Sequence, residues 1–364
     1  MTPDSEHALA EAVASATSPI RVQGGGTRLI EQVDGDVLST TGLSGITLYE
    51  PGSLTLVAKA GTPVAQIEAA LAAENQRLPF EPMDHRTLLR TTGTPTIGGV
   101  VATNASGPRR IQAGACRDSL IGVRYVDGQG TIIKNGGRVM KNVTGYDLVK
   151  LMAGSYGTLG VMSEVSFKVL PGVETSATLL LHKLDVSGAV DALSKALGSP
   201  YEVSGAAQCL VKGITALRLE GFEESVSYRL AQLRNLLVEY GDMEELHGEA
   251  SEALWLANRD MKHFSGVEGD IWRISVKPSD APAVVASMPT ATNVFLDWGG
   301  GLIWAVVPQG TDVRTPMGRI SGHATCLRGS AQTFPPEPPV MAALSEGLRA
   351  QFDPRGILNQ GVMG

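Results

Sequence analysis

Glycine in this chain is gathered into a few short windows, and that distribution limits its possible folds more than any other feature. The windows are 24–26, 93–107, 114–137, 145–160 and 299–301, drawn from 43 glycines in 364 residues. No G-X-Y period runs through them, so a collagen-like rod is excluded. Hydrophobic residues make up 43% of the chain, which excludes disorder and can fill a sizeable core without metal or disulfide staples. The glycines therefore read as loop chemistry, meaning backbone that turns sharply or comes very close to something.

A formal net charge of -7, from 30 Lys plus Arg against 37 Asp plus Glu, argues against nucleic acid as a partner. Cys116, Cys209 and Cys326 are scattered. They form neither a disulfide framework nor a zinc or iron–sulfur pattern, and a reducing compartment follows. The opening MTPDSEHALAEAVASA lacks the basic region and apolar core of a secretory leader. No run approaches the ~18 apolar residues of a membrane span. The expectation is a soluble, cytoplasmic protein with no direct membrane insertion.

Periodicity and turn signals order the rest. An Ala-rich helix at 8–16 precedes a strand at 20–22 that runs into Gly24-Gly25-Gly26-Thr27. Strands follow near 36–40, 46–49 and 54–59, then a helix at 63–74 with Pro63 in its first turn, where the missing N–H costs nothing. Residues 91–109 carry almost no periodic signal. A hairpin is expected around Asp127-Gly128, between strands 119–126 and 131–134. A helix at 146–153 and a strand at 161–169 come next. From about 173 the order becomes strand 175–182, helix 186–197, strands 201–209 and 214–219, helix 222–239 and a helical stretch at 247–260. Strands 271–276, 292–297 and 301–307 follow, with a helix between 279 and 287. This β-α-β-β-α order and a second partial β-α-β-β unit predict ferredoxin-like topology, an open sheet with helices on one face. FPPEPP at 334–339 leads to a helix at 340–351 and the closing FDPRGILNQG. The expected class is α+β, with domains at 1–171 and 172–325 and a segment 326–364 returning to the first.

Gly24-Gly25-Gly26-Thr27 sits directly after a strand, where successive N–H groups form a nest for a pyrophosphate; a tight turn needing positive φ is the plainer alternative. A dinucleotide G-x-G-x-x-G and a P-loop G-x-x-x-x-G-K-[ST] are both missing. The second cluster is more unusual: TTGTPTIGG at 91–99, then TNASG at 103–107, with Val100-Val101-Ala102 anchoring it. Such backbone suits wrapping a large polar ligand with ring and phosphate parts, since ordering glycines merely as a loop is costly.

Reactive side chains are sparse. His85, His263 and His323 are the histidines to follow, and no spacing supports a metal site. Cys116 beside Arg117 is either an activated thiol or an ordinary buried one. Arg273 alternates onto one strand face with Ser275, where it is a carboxylate clamp if that face meets a ligand and a solvated arginine otherwise.

Taken together, these segments resemble the FAD-binding domain of the vanillyl-alcohol oxidase/PCMH superfamily, and in particular the FAD-binding subunits of bacterial glycolate oxidases. The resemblance rests on the strand–GGGT loop, EPGSLTLVAKAGTPV at 50–64, TIGGVVATNASGPRR at 96–110, CRDSLIGVRYVDGQG at 116–130 and GRVMKNVTGYDLVKLMAGSYGTLGVMSEV at 137–165. It implies that Gly24, Gly25, Gly26 and Thr27 hold the FAD pyrophosphate. Thr96, Gly98, Gly99, Thr103, Asn104, Ser106 and Gly107 would form a second wall, with Gly154, Gly157, Gly160 and Val161 beside the adenosine half. With no histidine in the first loop, FAD is expected to be non-covalent.

Catalytic 2-hydroxy-acid dehydrogenases of the family carry an H-x-x-x-G-x-x-H motif. Here the corresponding GRISGHATCLRG at 318–329 has only His323. The resemblance therefore implies a flavin subunit working with a larger catalytic flavin subunit and an iron–sulfur subunit, oxidising glycolate or a similar small 2-hydroxy acid. Those partners would also account for any peripheral inner-membrane association. The alternatives are a self-sufficient FAD-dependent dehydrogenase of D-lactate type, with His323 or His263 as base and Arg273 or Arg319 as clamp, and a non-catalytic assembly subunit.

Overall fold

The computed structural model describes residues 1–28, 33–137, 145–290, 292–318 and 320–363. The chain divides into two units. One comprises Met1–Gly107, Gly114–Gly172 and Pro336–Gly364, the other Pro108–Ala113 and Val173–Pro335.

In the first unit, β1 (Ile20–Gln23) pairs in parallel with β2 (Asp36–Ser39). Then come β3 (Ile46–Glu50), β4 (Thr55–Lys59), β5 (Gln76–Arg77), β6 (Leu120–Val126), β7 (Ile132–Gly136), β8 (Val161–Lys168) and β9 (Leu170–Pro171). Five of these form an antiparallel sheet in the order β3-β4-β8-β6-β7, while β5 and β9 pair separately. Leu56, Tyr125, Val165 and Phe167 of the sheet pack with Ile67 and Val100, which lie on the helices Val64–Ala72 and Ile97–Ala102. The β6–β7 turn closes because Asp127 Oδ1 accepts from the Gln129 and Thr131 N–H groups at 2.9 and 2.8 Å, the backbone mimicry that favours Asp in turns.

The tail after helix Pro339–Phe352 belongs to this unit. Ile20 N donates to Ile357 O (2.7 Å) and Asn359 N to Ile20 O (2.9 Å), so the tail lies beside β1. Arg355 donates to Val13 O (2.6 Å), to Ala14 O and Ala16 O (3.1 Å each) and to Gly128 O. It thereby satisfies carbonyls at the end of helix Glu6–Ala14 that have no partner within the helix.

The second unit is one antiparallel sheet of β10 (Thr175–His182), β11 (Gly205–Cys209), β12 (Ile214–Gly221), β13 (Met243–His247), β14 (Asp270–Val276), β15 (Asn293–Asp297), β16 (Leu302–Val307) and β17 (Gly322–Arg328). The order β13-β10-β12-β11-β15-β16-β14-β17 reads as two four-stranded halves, 4-1-3-2 and 2-3-1-4, joined where Gln208 pairs with Leu296 and Cys209 with Phe295. In the second half the last helix shrinks to Arg314–Met317.

Three features differ from the sequence reading. Met243–His247 is a strand and the following helix runs Glu249–Arg259, because β10 offers an unfilled edge to an acidic segment with no apolar alternation. β17 pairs with β14 and keeps residues 326–335 in the second unit. Helices also cover both faces of the sheet. Ala177, Leu179 and Leu181 pack with residues of helices Val186–Leu197 and Glu223–Leu236. Ser176 and Thr178, which alternation turns the other way, bond Ser251 and Trp255 of helix Glu249–Arg259.

Candidate functional site

The glycine loops meet around a cleft in the first unit with about 840 Å³ of open space. Gly24–Arg28 leave the end of β1 and form one wall. The other comes from Thr96, Gly98 and Gly99 at the start of helix Ile97–Ala102, which Thr96 caps by accepting from Gly99 N. The two loops lie backbone against backbone: a Cβ on Gly25 would overlap the Thr94 carbonyl oxygen, and one on Gly93 the Gly25 carbonyl oxygen. Part of the glycine requirement is thus loop-on-loop packing, while Gly26 takes a left-handed φ of 71°.

Of the residues singled out in the sequence, Gly24, Gly25, Gly26, Thr27, Thr96, Gly98, Gly99, Thr103, Gly157 and Gly160 line the cleft. Asn104, Ser106, Gly107, Gly154 and Val161 do not line it. Asn104 Oδ1 accepts from Arg117 N (3.0 Å) and Ser106 Oγ from Cys116 N (2.9 Å). Gly107 N donates to Phe80 O, Gly154 N donates to Val101 O, and Val161 is buried in a core cluster. These five hold the shape of the loops behind the wall.

Sequence reasoning missed Arg21, Arg28, Tyr156 and Asn359, all in the lining. Asn359 accepts from Val22 N (2.7 Å) and donates to Tyr156 O (2.6 Å), tying the tail to two walls at once. The available signals were the basic residue directly after GGGT and the Asn in FDPRGILNQG. The expectation of no histidine near the first loop is corrected in space, since His85 Nδ1 accepts from Arg28 Nε at 3.1 Å, although His85 does not line the cleft. Cys116 is the ordinary alternative of the two, because complete burial pushes its thiol pKa far up.

A second constellation lies within the 173–335 unit and its 108–113 segment. The guanidinium carbons of Arg110 and Arg273 sit over the Trp298 ring, 4.3 and 5.3 Å from its centroid. Ser275 pairs with His323 and Arg273 with Thr325 across β14–β17, placing Arg273 and His323 on one sheet face. Burial first, then Arg273 and Arg110, hold the His323 pKa below its usual 6.5, so the ring is neutral at pH 7. Trp298 has φ 54°, a strained conformation for a bulky side chain, held by its N–H donating to Asp297 Oδ1 at 2.7 Å. His263 instead stacks on Phe295 and bonds Asn258 Oδ1 at 2.8 Å. Arg319 lies outside the described residues. Among the described residues, no helix is long and apolar enough to cross a membrane.

A family model described as an FAD binding domain matches residues 1–136, the stretch that contains both loops of the cleft. Fold and cleft together define a flavoprotein of the FAD-linked oxidoreductase class. The chain is 35% identical over 367 residues to glycolate oxidase subunit GlcE of Escherichia coli K12, covering 99% of this chain and 97% of that protein. It is 29% identical to a D-lactate dehydrogenase of Archaeoglobus fulgidus over 45% of this chain and 36% of that one. A solved alkyldihydroxyacetonephosphate synthase shares the fold with a TM-score of 0.74 at 15% identity, over 100% of this chain and 77% of that one. The chain belongs to the PCMH-type FAD-binding proteins, in the glycolate oxidase/2-hydroxy-acid dehydrogenase family, and is closely related to subunit GlcE.

The cleft fits FAD on its own chemistry. It is floored by glycine backbone that no Cβ obstructs and carries Arg21 and Arg28 with no Asp or Glu among the described lining residues.

Proposed function

We propose that the chain is an FAD-linked oxidoreductase acting on glycolate, D-lactate or a similar small 2-hydroxy acid, with catalytic residues in its second unit. The observation that carries this reading is the Trp298 cluster, two stacked arginines beside a neutral histidine. When bound, FAD supplies the acceptor for an electron pair. Arg273, with Arg110, holds the substrate carboxylate through paired N–H donors, and Trp298 fixes both guanidinium planes by cation–π stacking. His323 accepts the hydroxyl proton as the Cα hydrogen departs with its electron pair. Arg319 is a further clamp candidate. The 173–335 unit then serves as a substrate-binding cap domain of ferredoxin-like halves, and residues 336–364 complete the FAD domain. The cofactor is held non-covalently, a reading supported by the lack of His or Cys among the described lining residues.

The end-to-end match to a glycolate oxidase subunit favours a second reading. In it the chain works beside a larger flavin subunit and passes electrons to an iron–sulfur partner in the cytoplasm, docked at the inner membrane through those partners. Its own cysteines, all buried and dispersed, leave iron–sulfur centres to a partner. Anaerobic addition of glycolate and of D-lactate to the purified holoprotein tests both. Loss of oxidised-flavin absorbance in the isolated chain, slowed at least tenfold by Arg273→Met, supports the first reading. Loss only after partner subunits are added supports the second, and no loss in either case overturns both.

A further inference from the structure

Among the described residues, no carboxylate hydrogen-bonds Arg28, a cation in the cleft lining. Arg28 spends its hydrogen bonds on neutral acceptors, with Nη2 donating to Met83 O at 2.7 Å and Nε to His85 Nδ1 at 3.1 Å. To accept there, His85 must be a neutral imidazole with Nδ1 unprotonated; the other tautomer would instead donate Nδ1–H to Met83 O, 3.2 Å away. The remaining nitrogen, Nη1, lies 3.7 Å from where a Cβ of the lining residue Gly99 would stand. Asp84 acts on Arg28 only through space and is hydrogen-bonded to Arg86 at 2.7 to 3.1 Å. Loss of hydration lowers the Arg28 pKa from 12.5 to about 10, which leaves it charged at pH 7. Arg21, in the same lining, keeps a buried Nε with no hydrogen-bond partner among the described residues. With two arginines and no Asp or Glu among the described lining residues, the cleft is formally doubly positive. Burying uncompensated cations is costly unless the ligand brings the opposite charge.

We propose that Arg28, oriented by His85, is the counter-charge for an anionic group of the bound cofactor. The inference rests on the cleft being the FAD site. FAD offers two sources of such charge, its diphosphate and the reduced flavin ring, and both call for a fixed guanidinium donor. A diphosphate partner makes Arg28 a determinant of affinity. A ring partner makes it a determinant of how readily the flavin is reduced, because the cation stabilises the negative charge that appears only on reduction.

The test compares full-length parent protein with Arg28→Met and Arg28→Lys, measuring three quantities. These are FAD affinity, ADP affinity in flavin-stripped protein, and the two-electron midpoint potential of the flavin-loaded form. With a diphosphate partner, Arg28→Met loses at least tenfold in both FAD and ADP affinity, and Arg28→Lys recovers part of it. With a ring partner, ADP affinity holds while the potential falls. A tenfold loss of preference for the reduced form corresponds to about 30 mV for a two-electron couple. A thermal melt of the stripped variants checks folding; if Arg28→Met does not fold, Arg28→Lys and His85→Phe carry the comparison. Parent-like affinities and potential in folded variants overturn the proposal. A parent protein that binds neither FAD nor ADP overturns the assignment of the cleft instead.

Discussion

Glu220 is held between two arginines inside the second unit, which predicts an order of damage rather than only its presence. Arg109 Nε and Nη2 bond Glu220 Oε2 and Oε1 at 3.0 and 2.7 Å, and Arg218 Nε lies 3.4 Å from Oε2. The three side chains are 7%, 7% and 4% exposed. Breaking a buried pair by removing one partner costs about 3–5 kcal/mol. Arg109→Met leaves Arg218 and Glu220 as a formally neutral pair, and its cost belongs near about 3 kcal/mol. Glu220→Gln leaves two buried guanidinium groups without that carboxylate, which puts it near about 5 kcal/mol. Urea unfolding followed by tryptophan fluorescence is the assay, because all four tryptophans (Trp255, Trp272, Trp298 and Trp304) belong to the second unit. Trp255 sits directly under Arg218, 4.7 Å from its guanidinium carbon. The expected gap between variants is about 1–2 kcal/mol, with Glu220→Gln the less stable. Equal stabilities, or Arg109→Met the weaker, would refute the charge-counting argument.

Other outcomes follow from the same geometry. Gly25→Ala should fold but lose at least tenfold in FAD affinity by equilibrium dialysis, because its Cβ drives the first loop off the Thr94 carbonyl. If His323 is the base, activity should persist below pH 6.5 on the acid side. Arg273→Met should then move that limb upward, since removing a neighbouring cation restores the protonated form; pH profiles of residual turnover check this. Arg355→Ala should destabilise the first unit by about 2 kcal/mol or more, since its bonds to four carbonyl groups are charge-assisted. Flavin release on heating reads that loss.

What the sequence revealed was chemistry that acts locally. Helix Val186–Leu197 starts after Asp185, whose Oδ1 accepts from Gly188 N at 2.8 Å, and the Asp127-Gly128 turn is likewise set by its own residues. The GGGT and 96–99 segments stood out because ordered glycine is costly, and in the structure both line the cleft and Gly25 packs against the Thr94 backbone. Helix Ile97–Ala102 was hidden because its two glycines disfavour helix and only the Thr96 cap and the surrounding core hold it. β13 and β17 exist because an edge of another strand was open to them, which no window of sequence records. For the same reason Arg28 with His85, Asn359 with Tyr156, and Arg110 with Trp298 could not be paired in advance, since each joins segments far apart along the chain. A lone arginine or asparagine carries no mark of its eventual neighbour.

The bridge from Asn359 to β1 also has a meaning in time. Every residue of the second unit is polymerised before Asn359, whereas Asn359 and Val362 are part of the cleft lining. The cleft lining is therefore complete only once translation has passed Asn359 and Val362. A chain truncated before Asn359 is expected to lose flavin binding, which the absorbance spectrum of the purified truncation checks.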